Sequence, residues 1–217
     1  HEIFPYADLI VPESEFNLYS KYKMNIVKIP DNILGLGSVR NWCLDHYKEK
    51  IIIMCDDDIK GLMFIAKITH KFIKDPVTIY QILVNDALMA SDIGLGVFGY
   101  NQTADVRKYD FTTPFLLKGW VGGVIGVIGR DLRFIENNKC KVDVDFCLQN
   151  LLSKRIVWIN NRYSFVQIRD RNKGGNSLFR NSILIKKEID FLSRKWGKYF
   201  ICKETKTNMT TRINLKR

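Results

Sequence analysis

The chain has 217 residues, 46% of them apolar and 12% aromatic, with 34 Lys and Arg against 23 Asp and Glu and a formal charge of +11. This apolar fraction buries a core and excludes wholesale disorder, and the length suits one domain with at most a small appendage. Five scattered cysteines (Cys43, Cys55, Cys140, Cys147, Cys202) with no Cys-x-x-Cys pair exclude a disulfide scaffold and favour free thiols in a reducing, cytoplasmic setting, and the longest apolar run, Gly119 to Gly129, is too short to span a membrane.

The first half alternates short apolar runs with helical patterns, the signature of βα units feeding a mostly parallel sheet. Ala7 to Val11 and Asn25 to Ile29 read as strands, with a short helix over Glu15 to Lys23 between them. Ser38 to Tyr47 reads as a helix with Ser38 as its N-cap and with Arg40 and Asn41 at its start. Ile51 to Cys55 is a continuous apolar run, as expected of a central strand covered on both faces, and it stops abruptly at Asp56, Asp57 and Asp58. Asp75-Pro76 opens a helix that runs to about Asp92, followed by a strand over Gly94 to Tyr100. Phe111 to Leu117 and Val121 to Ile128 are spaced to pair as a hairpin across Lys118 to Trp120. Asp143 to Ser153 has one apolar helical face and two carboxylates in its first turn, and Arg155 to Ile159 is the last clear strand. A basic, glycine-containing loop spans Arg169 to Arg180, then a helix covers Asn181 to Gly197 and the chain ends in a polar, basic segment.

The charge is uneven. Arg130 to Arg217 carries 21 Lys and Arg against 8 Asp and Glu, net +13, and the residues before it sum to −2. Such asymmetry suggests a polyanion on the C-terminal side, nucleic acid being the commonest, with a solvated or lipid-facing surface as the alternatives. Three consecutive aspartates at the end of a buried strand raise one another's pKa unless a cation joins them. Hard oxygen ligands favour Mg²⁺ or Mn²⁺, typically held by one or two carboxylates plus substrate phosphates, and ligands of open α/β sheets bind beyond the carboxyl ends of the strands. A solvated acidic turn is the other reading.

The Asp-x-Asp strand end, the Gly37-Ser38-Val39-Arg40-Asn41 segment before it and the acidic helix start about 85 residues later resemble the GT-A glycosyltransferase layout. More closely, Val11 to Glu15 (VPESE), Ile29 to Trp42 (IPDNILGLGSVRNW), Ile51 to Ile59 (IIIMCDDDI), Val142 to Gln149 (VDVDFCLQ) and Arg171 to Asn176 (RNKGGN) are similar in order and spacing to the TET/JBP-associated glycosyltransferases, bacteriophage and eukaryotic enzymes that add sugars to hydroxymethylpyrimidines in DNA. The resemblance, over about residues 8 to 180, implies a single GT-A-like (Rossmann-like) α/β domain over residues 1–180. Its sheet would be mixed, mostly parallel and flanked by helices, with a first strand expected upstream of His1. Residues 181–217 would be a basic, helical extension packed on it.

The resemblance also assigns roles. Asp58 would be the metal ligand for Mn²⁺ or Mg²⁺, with Asp56 near the ribose or the metal, and Pro12, Glu13, Arg40, Asn41, Asp57, Gly122, Gly123 and Arg171 would line the UDP-sugar. Asp143, or otherwise Asp145, would be the base that takes the acceptor proton. Trp120, Arg169, Lys173, Gly174, Gly175 and Arg180 would meet DNA containing a hydroxymethylpyrimidine, with Phe179 or Trp120 stacking in the site if the base is flipped. Two departures stand out: Val142 occupies the place usually held by Glu, and no histidine follows His70, where many metal-dependent GT-A enzymes carry a late ligand. The location implied is the cytoplasm, that of the host if the source is a bacteriophage, with no membrane partner. A GT-A enzyme acting on a glycan or lipid, and a Mg²⁺ nuclease or DNA-binding module using Lys60 beside the aspartates, are the competing readings.

Overall fold

The computed structural model describes residues 2–67, 69–136, 138, 141–167, 182–204 and 209–214. The strands are β1 (Asp8–Pro12), β2 (Asn25–Ile29), β3 (Ile51–Cys55), β4 (Ile59–Ile65), β5 (His70–Ile73), β6 (Val97–Tyr100), β7 (Phe115–Leu116), β8 (Val124–Ile128), β9 (Trp158–Asn160), β10 (Tyr163–Gln167), β11 (Phe200–Glu204) and β12 (Met209–Ile213). The helices are α1 (Phe16–Tyr19), α2 (Leu36–His46), α3 (Pro76–Asp92), α4 (Val142–Lys154) and α5 (Ser182–Trp196). None of the helices described is long and apolar enough to cross a membrane.

A five-stranded sheet in the order β3-β8-β6-β9-β7 forms the centre. It is mixed as expected but not mostly parallel, because β8 runs antiparallel to both β3 and β6, β7 runs antiparallel to β9, and only β6 and β9 pair in parallel. The connection from β6 to β8 contains no crossover helix to carry the chain back for parallel entry. The expected hairpin is also absent. β8 is buried along almost its whole length, which demands an inner position, whereas the exposed pair Phe115-Leu116 takes the far edge against β9. β3 lies at the opposite edge of this sheet rather than at its centre, yet both its faces are covered, Ile52 and Met54 packing on one side and Ile51, Ile53 and Cys55 on the other.

On one face, Cys43 and Leu44 of α2 and Phe146, Cys147 and Leu151 of α4 pack against Met54, Val97, Ile125 and Val127. On the other, Ile79 and Leu83 of α3 meet Leu62, Tyr100 and Val124, together with Tyr163 and Phe165 of a second sheet ordered β10-β4-β5. A parallel pair β1-β2 and an antiparallel pair β11-β12 complete the set. α5 docks on α4 through Ile189 and Leu192 against Val144 and Leu148, and the β11-β12 hairpin follows where the sequence suggests only a polar end.

Helix starts follow local chemistry where a cap is present. Asp75 accepts a hydrogen bond from the Thr78 backbone N–H at 2.8 Å, with Pro76 in the first turn, so α3 begins where the sequence places it. α2 begins earlier than expected. Gly35, at φ 90°, supplies the turn, and the Val39 N–H already bonds the Gly35 carbonyl, which puts Ser38 inside the helix and carries Arg40 and Asn41 into its buried second turn. The helix expected over Glu15 to Lys23 is the single short turn α1.

Candidate active site

β3 and β4 are joined by the three aspartates, and this turn is held from several sides. The Asp56 N–H donates to the Gly123 carbonyl at 2.7 Å, tying the end of β3 to the segment that enters β8. An Arg40 guanidinium nitrogen donates to Asp56 Oδ1 at 3.1 Å, and the Gln167 amide nitrogen donates to Asp56 Oδ2 and to Asp58 Oδ1, each at 3.1 Å. The two carboxylate oxygens that share this nitrogen therefore lie within about 6 Å of one another. Burial raises the Asp56 pKa above the usual carboxylate range, Arg40 opposes the shift, and the charges of Asp58 and Asp143 add to it. Asp57 is exposed, and its charge reaches Tyr19 on α1, where it joins burial and Glu15 in raising the phenol pKa.

Arg40 is only 5% exposed. Its guanidinium lies over the Phe134 ring, with 5.3 Å to the centroid, and one of its terminal nitrogens, Nη1, is buried with no hydrogen-bond partner. A buried N–H without an acceptor costs about 1–3 kcal/mol, and a planar cationic fork with one arm unused is suited to a phosphate or carboxylate. Asn41 does something else. Its amide nitrogen donates to the Phe134 carbonyl and to Glu136, and its oxygen accepts from the Phe134 N–H, so it clamps the loop that carries Phe134 beneath Arg40. It supports the site rather than lining it.

The second wall is the segment Trp120 to Gly123. Gly122 lies so close to Asp143 that a Cβ there would overlap the carboxylate, and the Trp120 ring lies against the same spot. Gly123, at φ 73°, leaves the space occupied by the Gln167 amide, since a side chain at 123 would come within 2.8 Å of Nε2. Gln102 steadies this turn by donating to the Tyr100 carbonyl at 2.9 Å and to the Gly122 carbonyl at 3.4 Å. Asp143 sits in the first turn of α4, half-buried, its Oδ1 accepting from the Val144 N–H at 3.0 Å. Lys141, in the left-handed conformation at φ 58°, turns the chain into α4 and holds its ammonium 5.9 Å from the centroid of the Trp120 ring.

The structure thus brings Arg40, Asp56, Asp58, Gly122, Gly123 and Asp143 to one place, with Trp120 beside them. It places Asp145 elsewhere. That carboxylate is fully buried and accepts from Lys195 Nζ at 2.7 Å, Trp196 Nε1 at 2.8 Å and Gln149 Nε2 at 2.7 Å, fastening α5 to α4. Val142, at the position where a Glu is usual, is 1% exposed and belongs to the core. Pro12 and Glu13 form the turn from β1 into α1, which Ser14 ties to the β2–α2 loop through Asp31. Arg169, Arg171, Lys173, Gly174, Gly175, Phe179 and Arg180 lie outside the described residues, as does Cys140, and the other four cysteines are free thiols.

Gln167, Gln102 and Phe134 are the members that sequence reasoning missed. The antiparallel register of β10 on β4, with its shift at Val166/Gln167, sets Gln167 opposite Ile59, next to Asp58, where its amide reaches both aspartates. Among the described residues no three His, Cys, Asp or Glu side chains gather as a metal cage. The two converging carboxylates nevertheless fit a hard divalent ion completed by phosphate oxygens, and the unpartnered Arg40 nitrogen beside them suits the anion such an ion would carry.

The model of the TET-associated glycosyltransferase family matches residues 5–175. No curated protein and no solved structure matches the chain.

Proposed function

The chain belongs to the TET-associated glycosyltransferase family and is a glycosyltransferase, and from that premise we propose that it moves a hexose, glucose being the expected one, from a UDP-sugar to the hydroxyl of a 5-hydroxymethylpyrimidine in DNA, with inversion at the anomeric carbon. The observation that carries the reading is the pairing of two unlike walls. One holds Asp56, Asp58 and the buried, unpartnered Arg40 nitrogen, groups suited to a diphosphate and its counterion, and the other holds Asp143, seated against Gly122. The layering of helices and a second sheet about a mixed central sheet is compatible with the GT-A-like fold proposed for it.

In this mechanism Arg40 binds the donor diphosphate, and Asn41 and Phe134 hold the guanidinium in place. Asp143 takes the proton from the acceptor hydroxyl as its oxygen bonds to the anomeric carbon, and the bond to the leaving diphosphate breaks on the opposite face. A Mn²⁺ or Mg²⁺ held by Asp58 and Asp56 would neutralise the charge that develops on that diphosphate. Trp120 and the Lys141 ammonium form an aromatic and cationic pair on the acceptor side, suited to a base and its phosphate. The C-terminal excess of +13 supplies a salt-sensitive hold on the DNA backbone.

Incubating the full chain with a panel of UDP-sugars and duplexes containing hydroxymethyluracil or hydroxymethylcytosine tests the reading by mass. One hexose is expected per modified base, with turnover falling steeply as salt rises. Transfer to free sugars with indifference to DNA would instead support a glycan acceptor, and plasmid nicking with Mg²⁺ alone would support a nuclease. Arg40→Lys keeps the positive charge but loses the planar fork, so the KM for the UDP-sugar should rise on the order of tenfold with a smaller change in kcat. Unchanged donor saturation would remove Arg40 from the diphosphate site.

A further inference from the structure

We infer that Gln167 supplies, through its side-chain carbonyl oxygen, a third ligand to the divalent ion proposed for Asp56 and Asp58, a role that rests on the metal reading above. Its head group already stands between those two carboxylates, 3.1 Å from an oxygen of each. What it offers them in this structure is Nε2, an uncharged donor that offsets little of the repulsion among Asp56, Asp58 and the nearby Asp143. Rotating the amide by half a turn about its last torsion exchanges nitrogen for oxygen without moving the rest of the side chain. That oxygen would then stand beside the two carboxylate oxygens, and an ion seated among the three would meet two carboxylates and one amide carbonyl, a donor set that hard divalent ions accept.

Three features favour a ligand over a simple bridge. Gly123 leaves the seat for the amide head, which any side chain there would obstruct. The register shift at Val166/Gln167 departs from regular pairing at this residue and sets it opposite Ile59, next to Asp58. Beside the aspartates, Arg40 keeps a buried nitrogen without an acceptor, so an anion is wanted next to the position the ion would take. With no ion bound, the amide nitrogen holds the two carboxylates near their binding positions, so little reorganisation is needed when the ion arrives.

The test uses the full chain, Mn²⁺ alone and then Mn²⁺ with UDP, read by electron paramagnetic resonance against a UDP-only control, with melting temperatures in parallel. Gln167→Leu is expected to weaken Mn²⁺ binding by about tenfold or more, and Gln167→Glu to strengthen it. The rise in melting temperature on adding Mn²⁺ should follow the order Glu, Gln, Leu. A purely structural role would alter the metal-free melting temperature without producing that order. If the parent binds Mn²⁺ and both variants bind it equally well, Gln167 is not a ligand and the metal reading survives. If the parent takes up neither Mn²⁺ nor Mg²⁺ with UDP present, the metal reading falls and the ligand assignment falls with it.

Discussion

Asp143→Asn should lower kcat by about 10²- to 10⁴-fold and leave UDP binding and the melting temperature close to those of the parent. Asparagine has the same shape, so it can keep the seat against Gly122, and its oxygen can still accept from the Val144 N–H. What is removed is the negative charge, and with it the ability to take up a proton. No neighbour replaces it readily, because both oxygens of Asp56 are engaged, by Arg40 and by Gln167. Single-turnover kinetics on hydroxymethylpyrimidine DNA measure the loss. A variant that keeps most of the parental rate would take the base role away from Asp143.

The two aspartates of α4 look equivalent in sequence, and what separates them is the rest of the molecule. Two positions apart on a helix they face different ways, and the partners that decide between them, Gly122 on one side and Lys195 and Trp196 on the other, come from distant parts of the chain. The same limit explains other differences. The start of α3 was legible because Asp75 and Pro76 act within a single turn, and the end of β3 because an uninterrupted apolar run meets three carboxylates. Asn41 was legible only as a polar residue near an arginine. Its partners, Phe134 and Glu136, lie more than ninety residues on, so its role as a clamp depends on the tertiary fold. Gln167 carries no charge and no motif, and it acquires significance only from the register of β10 on β4. The sheet was misjudged for a related reason. Apolar runs show burial but not direction, so β8 was recognised as a strand while its antiparallel place between β3 and β6 was not.

Asp145→Ala should act on stability rather than on chemistry, destabilising the fold by about 3 kcal/mol or more and lowering the melting temperature by roughly 6 °C or more. The carboxylate is wholly buried, and its three donors come from two helices, Gln149 on α4 and Lys195 and Trp196 on α5. Removing it leaves the Trp196 and Gln149 N–H groups without that acceptor and the Lys195 ammonium, 35% exposed, without its counterion. The damage should concentrate where α5 meets α4, so hydrogen exchange in α5 should rise further than in α3, which packs on the other face of the central sheet. Asp145→Asn keeps one acceptor oxygen and should fall between alanine and the parent. Well below their melting temperatures, both variants should retain turnover within a few-fold of the parent, the reverse of the pattern expected at Asp143. An Asp145→Asn protein that melts like the parent yet has lost turnover would reverse the two assignments, making Asp145 the base and Asp143 a helix-terminal carboxylate held against a glycine.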